Sequence, residues 1–232
     1  MNTKNIIFTD LIGIEKEYYP KPASEYLPDW YKNTNSYVGE KKEIQEDAGL
    51  TQTIKKCMPF FDALTSGYII PTYVDVYVRN DNGDPYYSWA YYDAISFHSK
   101  KQFEKYPKGK DFAEAPKWRN PWSIKVPEGY SVLFVPPFHQ ENDIFKILDG
   151  VVDCDKYSAP TNFPFFLNDK NFEGLIPAGT PMVQVIPFKR EKWKMEFGDF
   201  KEKEECNKIL NRLNHKFFDK YKTMFWSKKE YK

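Results

Sequence analysis

Val74, Val76 and Val78 share one face of the stretch from Tyr68 to Val78, and Tyr73, Asp75 and Tyr77 share the other. That alternation predicts a β-strand. The run Asn80-Asp81-Asn82-Gly83-Asp84 has the composition of a hairpin turn, and Tyr86 to Tyr92 reads as the returning strand. Ile6 to Ile14 is a shorter apolar stretch that also predicts a strand. After Asn120-Pro121-Trp122 a second hairpin is expected, with arms Ser123–Val126 and Tyr130–Val135. Pro136-Pro137 should stop it, because consecutive prolines cannot donate to a ladder. An acidic turn, an aromatic strand, a Pro-Ala-Gly turn at 177–179 and a strand carrying Gln184 follow.

Helical spacing belongs to the two ends of the chain. Ala23, Tyr26, Leu27 and Trp30 form a stripe that Pro28 interrupts, which predicts two short turns of helix. Lys55 to Leu64 is densely apolar, and Gly67 is placed to end a short helix in the left-handed conformation. Between them, Asn33 to Gln52 is polar and reads as a surface loop or linker. Residues 99–117 are Lys-rich and read as an exposed excursion. Asp199 with Glu202 approaches a capping box, and Ile209, Leu210, Leu213, Phe217, Phe218 and Tyr221 then recur at helical spacing. This helix, about residues 200–225, is expected to lay its stripe on the β domain or on a second subunit. The chain is thus expected to divide into an N-terminal segment 1–64, a β core 65–190 and a C-terminal helix and tail 191–232.

Composition adjusts this outline in three ways. Aromatic residues are 18% of the 232, so much of the burial must come from flat, partly polar rings. The 34 Lys+Arg nearly balance the 33 Asp+Glu, which argues against nucleic-acid binding as the main activity. Cys57, Cys154 and Cys206 have neither metal-ligand spacing nor the pattern of a disulfide framework, so a reducing, cytoplasmic compartment is expected. The N-terminus lacks the continuous apolar core of a signal peptide, and no stretch approaches the length of a membrane span. His98, His139 and His215 do not form a facial triad by spacing, and no metal site is expected.

The specific chemistry lies between Gly150 and Arg190. Gly150-Val151-Val152-Asp153-Cys154-Asp155-Lys156-Tyr157 is an acidic turn, and Gly179 is followed five residues later by Gln184-Val185-Ile186. In this order the two resemble the "G-V-[IV]-D-x-D-Y" and "G-x-x-x-x-Q-[IVL]-[IV]" patterns of the dUTPase and dCTP deaminase superfamily. Ile124-Lys125-Val126-Pro127-Glu128-Gly129-Tyr130 is similar to the family's "I-x-[IV]-P-x-G-Y" segment. The resemblance covers about residues 122–188 and implies a mainly β fold: a β-clip core with short N-terminal helices and one C-terminal α-helix. It implies a homo-oligomer, a trimer by preference, since enzymes of this kind share sites between subunits. It also implies that Asp153 acts as general base on an attacking water, with Tyr157 against a sugar, and with Asp155 and Gln184 as further ligand-binding residues. The whole chain faintly resembles a group of proteins from marine bacteria and their phages.

Several of the family's parts are missing. Val135-Pro136-Pro137-Phe138 stands where the family's Arg-Ser phosphate motif should follow the strand, and the prolines remove N–H donors that a polyphosphate needs. Lys156 is inserted before Tyr157, which moves the ring to the other side of an extended chain. A charged helix replaces the family's Gly-rich C-terminal arm. The reading that follows is a non-catalytic or divergent β-clip protein that takes a small-molecule or protein partner near Asp153, without a cofactor, nucleic acid or membrane. The alternatives are a nucleotide hydrolase using Asp153 with magnesium, and a virion-type structural or assembly protein.

Overall fold

A computed structural model describes residues 3–39, 44–45, 49–50, 52–214 and 219–232. The first strands in chain order are β1 (Ile7–Asp10), β2 (Lys21–Pro22), β3 (Ile44–Gln45), β4 (Gly49–Leu50), β5 (Tyr68–Pro71), β6 (Val76–Asp81), β7 (Asp84–Trp89) and β8 (Ile95–Ser99). The later ones are β9 (Glu114–Trp118), β10 (Trp122–Lys125), β11 (Tyr130–Val135), β12 (Phe145–Ile147), β13 (Gly150–Val152), β14 (Phe163–Leu167), β15 (Gly174–Ile176) and β16 (Pro181–Lys189). The helices are α1 (Asp29–Asn33), α2 (Met58–Thr65), α3 (Lys100–Phe103), α4 (Phe200–Asn214) and α5 (Lys220–Met224). The chain divides into two compact units, one formed by Met1–Tyr26, Gly67–Arg190 and Tyr231–Lys232, the other by Leu27–Ser66 and Glu191–Glu230.

The first unit is mainly β, and the named strand pairings within it are antiparallel. A five-stranded sheet runs β13-β11-β16-β5-β2, a four-stranded sheet β12-β14-β9-β8, a three-stranded sheet β15-β6-β7, and β1 pairs with β10. The aromatic surplus goes into its core. Trp118 stacks on Phe165 with centroids 5.4 Å apart, and Phe145 and Tyr87 meet the same ring at 5.5 and 5.7 Å. Such ring pairs add about 0.5–1.5 kcal/mol each beyond the area they bury. The Asn82-Gly83 turn has φ of 52° and 92°, as a tight two-residue hairpin requires, and joins β6 to β7 in the expected register.

Two expectations about strands are corrected. Tyr68 to Val78 is not one strand: Thr72 leaves the ladder, donating its hydroxyl to Pro177 O at 2.7 Å and its N–H to Thr180 O at 2.9 Å. Tyr73 is therefore buried although the alternation put it outside. The Ser123–Val126 and Tyr130–Val135 arms do not form a hairpin with each other. β10 pairs with β1, whereas β11 lies between β13 and β16. The linker between them is turned away by a Tyr130 N–H to Pro127 O bond and by Gly129 at φ 81°.

The second unit carries α1, α2, the β3–β4 pair, α4 and α5. Tyr31 lies over Phe60 and Phe61, and Asp62 accepts from Trp226 Nε1 at 3.0 Å and from Lys229 Nζ at 2.6 Å. Helix α4 starts as expected: Asp199 Oδ1 accepts from Lys201 N at 2.7 Å, and Glu202 reaches back to Asp199 N at 2.9 Å. Of its expected apolar stripe, Ile209 and Leu210 are exposed and Leu213 is half-buried. His215, Phe217 and Phe218 lie outside the described residues. No helix among the described residues is long and apolar enough to cross a membrane.

Candidate functional site

β13 is the edge strand of the five-stranded sheet, and the acidic turn leaves its end. Lys156 N and Tyr157 N both donate to Asp153 O, at 2.9 and 2.8 Å, which closes the turn. Its two carboxylates have different surroundings. The Asp155 side chain is 3% exposed and is met by the fork of Arg190: Nη1 on Oδ1 at 2.9 Å and Nη2 on Oδ2. Gly129 N adds a third bond to Oδ2 at 2.9 Å. The bidentate Arg190 pair, aided by that backbone donor, holds the Asp155 carboxyl far below the usual range. Asp153 is 51% exposed, accepts from Ser131 Oγ at 2.6 Å and lies 3.2 Å from Arg190 Nη1.

Arg190 also donates to Tyr130 O at 2.7 Å and to Ser131 Oγ at 3.1 Å. It thus ties the turn to the start of β11. Between the carboxylates stands Cys154, whose thiol is pushed up to about 11 by burial and by both flanking carboxylates. A divalent cation does not fit between Asp153 and Asp155, because the Arg190 guanidinium already holds that position with the same sign of charge. Among the described residues, no cluster of three or more His, Cys, Asp or Glu side chains could hold a metal.

Gln184 lies at the other end of the strand pair. It is 1% exposed, and its Oε1 accepts from Phe138 N at 2.8 Å. In the β11–β16 register Val135 is opposite Gln184 and Ser131 is opposite Phe188. Asp153, held by Ser131, is therefore four strand residues from Gln184, about 13 Å at the rise of an antiparallel strand. Tyr157 is half exposed. Three cavities are formed among the described residues, and none of them is lined by Asp153, Tyr157, Gln184 or Asp155.

A cavity of about 390 Å³ lies instead against the Gln184 end. Its apolar wall includes Val135, Phe145, Ile147 and Met182, and its rim includes His139, Lys146 and Asp149. The Pro136-Pro137 pair shapes one side, and Gln184 fixes the next peptide by taking the Phe138 N–H. Lys146 and Asp149 flank a buried strand residue, Ile147, and no ion pair joins them to another described residue. Asp149 precedes β13 directly, so the cavity and the acidic turn sit at opposite ends of one short strand. The residue patterns did not single out Ser131, Arg190, Lys146 or Asp149. Arg190 is 35 residues from Asp155, and no local spacing announces that pair.

No protein-family model matches the sequence, and no curated protein sequence matches it. Among solved structures, the chain is similar to a mutant dUTPase of Staphylococcus bacteriophage 80alpha with dUpNHpp, at 11% identity and a TM-score of 0.37. The alignment covers 85% of this chain and 89% of that one. A score of that size assigns no residue of this chain to a residue of that enzyme. The class defined by the strands themselves is a mainly β protein of antiparallel sheets with a C-terminal helix.

Proposed function

We propose that this protein is a non-hydrolytic binding protein whose small ligand occupies the cavity against β12 and the start of β13. One observation carries the reading: the cavity is of ligand size and has an apolar wall, with Lys146 and Asp149 at its rim, whereas Asp153 and Asp155 are engaged by Arg190. Ligand sites commonly span about 300–1,000 Å³ and pair an apolar body with a few polar groups. The ligand class is a small organic anion with an apolar part, its charge met by the Lys146 ammonium. Free thiols at Cys57, Cys154 and Cys206 support a reducing, cytoplasmic setting.

A thermal-shift panel of nucleotides and small aromatic or aliphatic carboxylates tests the reading. A ligand at 100 times its dissociation constant should stabilise the fold by about 2.7 kcal/mol. Lys146→Ala should abolish the shift and Asp153→Asn should retain it. The reverse pattern would place the ligand at the acidic turn. The half exposure of Asp153 favours one other reading, a hydrolase in which that carboxylate activates water. Turnover of dUTP or dCTP with magnesium, lost in a folded Asp153→Asn variant, would establish that reading instead; we expect no turnover.

A further inference from the structure

Between β16 and α4, residues 191–199 belong to no helix or strand. Trp193 is 87% exposed, Met195 80% and Phe197 91%. Single exposed apolar side chains need no account, but three large ones at alternate positions form a continuous apolar edge. Lys194 and Glu196 alternate with them, and their side chains meet at 2.7 Å. That contact puts positions two apart on the same side, as in an extended backbone.

We propose that this segment pairs antiparallel with the same segment of a second copy, about a two-fold axis at Met195. In that register Trp193 faces the partner's Phe197, Met195 faces the partner's Met195, and Phe197 faces the partner's Trp193. On the opposite face Lys194 meets the partner's Glu196, and Glu196 meets the partner's Lys194. From Trp193 to Phe197 every apolar residue has an apolar partner and each charge meets its opposite, which is what cross-strand pairs need; the next pair out is Lys192 with the partner's Gly198, and the pairing ends there, before Glu191 would face the partner's Asp199. A parallel arrangement would set Lys194 beside the partner's Lys194. Shifting the antiparallel register by one residue per strand would turn the apolar faces apart.

The area is sufficient for association and no more. Two aromatic side chains of about 150–250 Å² and one Met from each copy would total roughly 1,000 Å² if wholly buried; side by side on one face of a two-stranded ribbon they bury less, which is the range of weak, transient association. The pairing is isologous and closed, so it gives a dimer rather than the three-fold assembly implied by the resemblance.

Sedimentation velocity over a wide concentration range tests this. The expected mass rises with concentration from 27.5 kDa to twice that value. Phe197→Asp should hold the protein at the lower mass with an unchanged melting curve, since the position is exposed. Lys194→Glu sets like charges opposite each other twice and should weaken the dimer roughly three- to tenfold. Adding Glu196→Lys to it should restore the wild-type constant, a rescue that other contact surfaces would not show. With Cys206→Ser removing the exposed native thiol, Met195→Cys should form an intermolecular disulfide on mild oxidation. A constant mass of 27.5 kDa, or a dimer indifferent to Phe197→Asp and to the charge reversal, would overturn the proposal.

Discussion

Gln184→Met removes an acceptor where the chain has none to spare. Pro136 and Pro137 carry no N–H, and the next donor, Phe138 N, is held at 2.8 Å by the Gln184 side chain. Met has nearly the volume of Gln, so packing around this buried position should survive and the lost hydrogen bond should dominate. Leaving a buried donor unpaired costs about 1–3 kcal/mol; Phe138 is only partly buried, so the lower part of that range, about 1–2 kcal/mol, applies. For a chain of this size each kcal/mol lowers the melting temperature by roughly 2–4 °C, giving a fall of about 2–8 °C. Denaturant curves with matched slopes should show the same loss. Hydrogen exchange at the Phe138 amide should accelerate, and affinity at the 390 Å³ cavity should fall because its proline wall is no longer pinned. A stability change within about 0.5 kcal/mol, with unchanged exchange at Phe138, would refute the reasoning.

Asp155→Asn tests the clasp through pH. The Arg190 partner depresses the Asp155 carboxyl, so its contribution is complete above the unfolded value near 4 and is lost as the pH falls toward the lower folded value. The melting-temperature gap between wild type and variant should therefore be widest above about pH 5 and narrow steadily below about pH 4; a gap independent of pH would rule out the ion pair as its source. Gly67→Ala should destabilise by more than the ~1–2 kcal/mol of a left-handed L-residue, because a Cβ there would sit 2.0 Å from Val185 O. Its melting curve, if unchanged, would show that β16 yields freely.

The local devices of this fold were legible because each is settled within a few residues. Asn82-Gly83 specifies its own hairpin, and Asp199 with Glu202 specifies its own cap. Pro28 separates the 3₁₀ turn at Ala23–Tyr26 from α1. The alternation of Val74, Val76 and Val78 identified the buried face correctly but missed the break at Thr72, because the partner that draws Thr72 out of line is Pro177. The β10–β11 hairpin failed for the same reason. Two strands with a Pro-x-Gly link look like neighbours, yet β11 finds its partners at Gly150–Val152 and Gln184–Lys189. Strand choice is a long-range matter, and alternation carries no record of it.

The same limit governs the site. A carboxylate in a turn can cap, bind, or activate water, and the cation beside it decides which. Asp153 and Asp155 are alike in sequence, two residues apart with one Cys between them. In the fold Arg190 gives its fork to Asp155 and only one nitrogen to Asp153, leaving the first buried and the second half in water. That asymmetry follows from where β16 ends: Lys189 pairs with Tyr130, so the next residue lies beside Gly129 and can reach both sides of the turn. One residue less in β16 would turn the Arg190 side chain to the opposite face of the sheet. The Asp155 carboxylate would then lose the two-pronged cation that covers it and holds its pKa down. The length of β16, more than the acidic motif itself, therefore makes this turn a clasp.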